Sequence, residues 1–223
     1  MEREIRVTAD GFPTLFAKEL NEHYHSTNGA YTESMHVFIN AGLYLKLHAS
    51  QDKIHILEIG LGTGLNLILT KLHGSKDSRN ILYHALEPFP LDTISIEEIK
   101  GYDLTGFEID VKDYELIHYS PFGKEINLGD KLTFLKIQKT LEEHESATKF
   151  DLVYFDAFGP QVQPEIWSEE NFLKIFNWMN TGGILVTYCA KGAVRRAMQT
   201  AGFTVERIPG PPGKREMLRA TKK

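Results

Sequence analysis

The residues Glu58-Ile-Gly60-Leu-Gly62-Thr-Gly64 set one acid and three glycines at alternate positions. The apolar run KIHILEIG leads into them and the amphipathic run GLNLILTKLH follows. A strand that turns through glycines into a helix lets a nucleotide-like ligand approach bare backbone and free helix amides. A dinucleotide turn spaces its glycines G-x-G-x-x-G. Here the third glycine comes one position early. Glu58, two positions before the first glycine, would repel a pyrophosphate and suits a ligand with a cationic group. S-adenosylmethionine is such a ligand: an ammonium, a sulfonium, a ribose and an adenine, with no phosphate. Glu58 can hold the ammonium side, directly or through water. Glu87 closes the next apolar run, where a carboxylate can accept from both ribose hydroxyls.

The second informative stretch is DLVYFDAFGPQVQPEIW. Ligands of open parallel sheets sit at the carboxyl ends of the strands. Asp156 stands at such an end, followed by Phe158 and Pro160. That set suits methyl transfer to nitrogen. The carboxylate can orient an amine hydrogen, accept a proton and offset charge growing on nitrogen. The aromatic can pack on a base or on a sulfonium. Methyl transfer is an in-line displacement, so positioning of a neutral amine is most of the task. Trp167 reads as core or rim packing.

These residues need elements to hold them. Strand and helix alternate along the chain, which predicts an α/β fold with a parallel sheet. Strands are expected at KIHILEIG, NILYHALEPFP, KLTFLKIQ, FDLVYFDAFGP and GGILVTYCA. Helices are expected at GLNLILTKLH, ISIEEIKGY, KTLEEHE, SEENFLKIFNWM (with Ser168 as N-cap) and GAVRRAMQTAG. FTVERIP and KREMLRAT can pair as a terminal hairpin around GPPG. Residues 1–52 form an extension, with a hairpin turning at Asp10-Gly11 and a helix at TESMHVFINAGLYLKLH. Residues 103–128 form an insertion before the third strand, where alternation in YELIHY predicts a strand pair.

Composition excludes several classes. With 223 residues and 42% hydrophobic content, one α/β domain can bury a full core. No apolar run approaches a membrane span, and the charged start MEREIRVTADGF lacks a signal segment. The single cysteine, Cys189, reads as a core residue and fits a reducing cytoplasm. His23 and His25 lack partners at zinc-ligand spacing, so no metal is expected. Net charge is −5, yet from Lys191 onward nine Lys/Arg face only Glu206 and Glu216. That basic segment can meet a phosphate backbone. Lys191, Arg195 and Arg196 open one helix there, and Lys214 and Arg215 lie in the terminal hairpin loop.

The chain resembles the methyltransferase family of tRNA 5-methylaminomethyl-2-thiouridine biosynthesis, the MnmC methyltransferase domain in its stand-alone (MnmD) form. ADGFPTL, HYHSTNGAYTESMHVFINAGL, ILEIGLGTGLN, DLVYFDAFGPQVQPEIW, GGILVTYCAKGAVRRAMQTAGF and GPPGKREML carry the resemblance. It implies a class I S-adenosylmethionine-dependent methyltransferase over residues 53–223, with a seven-stranded sheet whose last strand is antiparallel, and residues 1–52 packed on it. It implies methylation of the exocyclic amine of 5-aminomethyl-(2-thio)uridine at the tRNA wobble position, in the cytoplasm. It puts Glu58, Gly60, Gly62, Gly64 and Glu87 at the cofactor and Asp156 on the substrate amine. Tyr24, Ser26, Gly29 and Glu33 are expected to wall the pocket. Family members often carry G-D after the third strand, the Asp taking the adenine amino group. Here Ile137-Gln138 stands there, and the Gln138 carbonyl can accept that bond. Larger members add a flavin-dependent domain; this chain is expected to lack flavin activity, with a separate flavin-dependent tRNA-modifying enzyme as a candidate partner, and a monomer is the favoured state. Competing readings are a methyltransferase for a small-molecule or protein amine, an aminopropyltransferase of the spermidine synthase type, and a non-catalytic RNA-binding scaffold.

Overall fold

Two glycine-free apolar runs, KIHILEI and FDLVYF, lie side by side at the centre of the sheet. Both are almost wholly buried, as strands covered on two faces must be. The computed structural model describes residues 1–47 and 52–223. In chain order the strands are β1 (Arg3–Val7), β2 (Pro13–Ala17), β3 (Glu22–His23), β4 (Lys53–Ile59), β5 (Asn80–Leu86), β6 (Glu125–Asn127), β7 (Leu132–Ile137), β8 (Phe150–Phe155), β9 (Met179–Thr187), β10 (Thr204–Pro209) and β11 (Glu216–Thr221). The main sheet runs β10-β11-β9-β8-β4-β5-β7-β6. Pairs β4–β5, β4–β8, β5–β7 and β8–β9 are parallel, and β11 is antiparallel to both neighbours. The expected seven strands are present. An eighth, β6, comes from the insertion and pairs antiparallel with β7.

The helices are α1 (Ala30–Ser34), a π-helical stretch Met35–Leu43 continuing into α2 (Tyr44–Leu47), then α3 (Leu65–Gly74), α4 (Thr93–Lys100), α5 (Val111–Tyr119), α6 (Glu169–Trp178) and α7 (Gly192–Thr200). The expected N-terminal helix is there, although its last residue, His48, lies outside the described residues. One face of the sheet is covered by residues 30–47, α3, α4 and α5, through Phe38, Leu43, Ile68, Ile96 and Ile117. The other is covered by α6 and α7, through Phe172, Ile175, Trp178, Val194 and Met198. A separate small sheet, β1-β2-β3, lies beside α4. Its first hairpin turns where expected, with Thr8 N–H donating to Phe12 O at 3.0 Å. Among the described residues no helix is long and apolar enough to cross a membrane.

Two expectations fail for stated reasons. YELIHY is helical, within α5, not a strand pair. Its buried residues are Tyr114 and Ile117, three apart, which is helical spacing; Asp110 caps the helix by accepting from Lys112 N–H at 2.9 Å. Alternation over six residues is too short to separate the two periods. KTLEEHE forms turns, not a helix. Thr140 and Glu143 cap each other, at 3.2 and 3.3 Å, and close a single turn. A segment that short cannot offset the cost of helix nucleation by itself.

Ser168 does cap α6: its Oγ accepts from Asn171 N–H at 3.3 Å. Ser168→Ala should lower the unfolding free energy by about 1 kcal/mol in urea titrations.

Candidate functional site

The carboxyl ends of β4, β5 and β8 open into one cavity of about 760 Å³. Its size suits a small cofactor together with part of a substrate. Gly60 and Gly62 form its floor. Gly60 has φ of 88°, and a Cβ there would lie 2.7 Å from the Asp156 carbonyl oxygen. Only glycine allows the β4 turn to touch the end of β8. The backbones are tied by Asp156 N–H donating to Ile59 O at 3.0 Å. Gly62 packs under Tyr24, whose ring a Cβ would meet at 3.1 Å. Gly64 begins α3 in a left-handed conformation and stands behind the cavity wall.

Two carboxylates share one amide. Asn66 Nδ2 donates to Glu58 Oε1 at 2.9 Å and to Asp156 Oδ2 at 2.8 Å. Asn66 lines the cavity, and its Oδ1 has no partner among the described residues. Glu58 is fully buried and lies beneath that lining. Glu58 therefore does not face the cavity itself, and Asn66, bonded to it, does. Burial pushes the Glu58 carboxyl well above its ordinary value, and the nearby Asp156 charge adds to this, against the Asn66 hydrogen bond. Burial, with Glu33 close by, pushes Asp156 up to about 7, against the Asn66 hydrogen bond and Lys214.

Glu87 lines the cavity where β5 ends. Its oxygens accept from Gly62 N–H at 2.9 Å and from Phe89 N–H at 2.9 Å. Burial raises its pKa and these amides lower it. Gln138 is exposed and lies outside the cavity; Thr140 and Leu141 reach the wall instead. Gln138, expected at the adenine, faces solvent because it is the first residue after β7 ends at Ile137.

The N-terminal segment supplies the roof. Tyr24 meets Phe158 edge-on at 5.0 Å, and both line the cavity, as do Ser26 and Glu33. Pro160 and Gly29 do not line it. Arg3 Nε donates to the Tyr24 hydroxyl at 2.8 Å, and its other nitrogens reach Asp92, Phe89 O and Pro90 O at 2.9–3.2 Å. His25 bridges Thr14 at 2.8 Å and Thr63 at 3.3 Å, and burial pushes it down to about 4, so it stays neutral. Trp167 is core: it is buried against Phe155 and donates to Phe158 O at 2.8 Å. Cys189 is buried, which raises its thiol pKa.

The basic residues divide. Lys214 turns inward: it pairs with Glu33 at 2.5 Å and sits 4.1 Å above the Tyr188 ring, inside the cavity. Lys214, expected at a phosphate, instead faces the cavity and pairs with Glu33. Lys191 is exposed and donates to Gln161 at 2.7 Å. Arg195 is half-buried on α7, while Arg196 and Arg215 are exposed. Asn66, Arg3 and His25 as a glycine-turn support were missed by sequence reasoning. Asn66 alone had a signal, a polar residue inside the apolar run Leu65–Leu69.

A family model described as S-adenosyl-L-methionine-dependent methyltransferase matches residues 111–223, just over half of the chain. The chain belongs to that family. Its cofactor is S-adenosylmethionine, and the site fits: bare glycines at the turn, a lone acceptor on Asn66, and carboxylates rather than a phosphate nest. Curated relatives bear out the resemblance seen in the sequence. The tRNA 5-methylaminomethyl-2-thiouridine biosynthesis bifunctional protein MnmC of Campylobacter hominis is 28% identical over 211 residues, covering 92% of this chain and 31% of the relative. That of Paracidovorax citrulli is 28% identical over 235 residues, covering 99% and 35%. The chain thus spans about a third of the length of the curated relatives it matches. The crystal structure of MnmC2 from Aquifex aeolicus superposes with a TM-score of 0.78 at 26% identity, covering 100% of this chain and 71% of that one. Spermidine synthase from Thermotoga maritima shares the fold alone, at a TM-score of 0.55 and 12% identity.

Asp156 also reports on stability. Its folded pKa lies above the unfolded value of 3.8, so between these values the folded state holds the extra proton. The Asp156 contribution to stability therefore falls as pH rises from about 4 to 7 and levels off above. Asp156→Asn should stabilise the fold relative to wild type more at pH 8 than at pH 5, measured by urea unfolding at both.

Proposed function

We propose that this chain methylates the exocyclic amine of 5-aminomethyl-(2-thio)uridine at the tRNA wobble position. The observation that carries the reading is the placement of Asp156. Its half-buried carboxyl, pushed up to about 7, lines the cavity, and its backbone touches the glycine turn. A primary alkylamine arrives as an ammonium and must lose a proton before nitrogen can attack. Glu22, Glu33 and Glu87 in the same cavity favour the cation's entry. Ionised Asp156 then accepts or directs that proton, and Asn66 fixes the carboxylate in place. Phe158 and Tyr24 confine the arm that carries the amine. S-adenosylmethionine, when bound, supplies a methyl on a sulfonium. The names of the MnmC relatives and of the Aquifex aeolicus structure support tRNA as the substrate. The exposed Arg196 and Arg215, with half-buried Arg195, offer a basic face to its backbone. Wobble modification places the protein in the cytoplasm.

Purified protein given cofactor and tRNA bearing the aminomethyl nucleoside should form the methylaminomethyl nucleoside, read by nucleoside mass spectrometry. Unchanged nucleoside would sink the reading. kcat should rise with pH through about 7, the value to which Asp156 is pushed. In Asp156→Asn that step should vanish and kcat fall by about 10²- to 10³-fold.

Arg196→Ala and Arg215→Ala should each lower the slope of log Kd for tRNA against log salt by about one. Filter binding at several salt concentrations measures it.

A further inference from the structure

Gln161 lies on the same loop as Asp156 and lines the same cavity. Its side-chain amide is gripped at both ends. Lys191 Nζ donates to Gln161 Oε1 at 2.7 Å, and Gln161 Nε2 donates to Glu22 Oε2 at 3.2 Å. An ammonium can only donate and an ionised carboxylate can only accept. The amide therefore cannot flip: its oxygen faces Lys191 and its nitrogen faces Glu22. Gly159 makes the room, since a Cβ there would lie 2.5 Å from Gln161 Nε2 and 2.8 Å from Oε1. Three separate elements, the β8 loop, the start of α7 and β3, thus converge to orient one uncharged group.

Each end of that amide keeps a spare valence, a second N–H on nitrogen and a second lone pair on oxygen. A donor fixed beside an acceptor is the complement of an imide, which offers C=O beside N–H. Uracil and 2-thiouracil present this pair at O4 and N3–H. O4 stands on the carbon next to C5, so the imide edge and a C5 arm leave the ring on adjacent sides. Cytosine presents the opposite order, an amino donor at N4 and an acceptor at N3.

We propose that Gln161 is a specificity-determining residue that reads the O4/N3–H edge of the pyrimidine whose C5 arm delivers the amine to Asp156. Lys191 and Glu22 are positioning residues that set the sense of the reading. The inference rests on the wobble-uridine reading above and adds the atoms that are recognised.

The test uses full-length tRNAs ligated from synthetic fragments, with 5-aminomethyluridine or its N3-methyl derivative at the wobble position. The N3-methyl group removes the hydrogen that Gln161 Oε1 would accept. Wild-type kcat/KM should favour the free imide by about 10- to 100-fold, the range of a two-point base contact. In Gln161→Ala that ratio should fall to about one. Gln161→Glu, which keeps the size but loses the amide donor, should lower it too and guards against a folding defect in the first variant. Lys191→Met should give an intermediate ratio. Equal use of both tRNAs by wild type, or an unchanged ratio in both Gln161 variants, overturns the assignment and leaves the methylation reading standing. Failure of wild type on the free-imide tRNA overturns that reading itself.

Discussion

One NH₂ group, on Asn66, has two hydrogens and gives one to each of two carboxylates. Glu58 ends β4 and Asp156 follows β8, two neighbouring strands. Two acids this close disfavour each other's ionised form. The bridge ties the two acids together, with Nδ2 turned to both carboxyls and Oδ1 turned away. It also needs the backbones close together, which is why Gly60 must lack a side chain. Burial then keeps both acids above their ordinary range, Glu58 well above and Asp156 near 7. One acid supports from behind while the other meets the cavity.

Charge is sorted by depth. The cavity carries Glu22, Glu33, Glu87 and Asp156, whereas the cations of the C-terminal part lie mostly outside it. Lys214 is the exception, folded inward between Glu33 and the Tyr188 face. An acid interior draws a cationic arm while a basic exterior tolerates a polyanion. The small net charge of the whole chain hides this division.

Much of this was legible in the sequence, and the failures follow from specific physics. The parallel strands showed as unbroken apolar runs because both faces are covered. Glycines marked the turn, and the acids at strand ends marked the cavity. Helix caps at Ser168 and Asp110 carried local chemistry, but only the first was read, because α5 hid behind a six-residue alternation. Gln138 and Lys214 went astray for a different reason: side-chain direction is set by tertiary neighbours, not by position along the chain. Arg3 and His25 could not be placed at all, since the partners that tie them to the site, Phe89 O and Thr63, lie 86 and 38 residues away respectively.

The Glu33–Lys214 pair joins residues 181 positions apart, and β11 slots between two strands made before it. A ribosome adding about 5–20 residues per second needs roughly 10 to 35 s to cover that span. During that interval Glu33 has no counter-ion, and the cavity lacks one wall. The pocket is thus completed only after Lys214 has been made. A nascent chain that stops short of residue 214 carries the glycine turn and Asp156 but not the finished chamber.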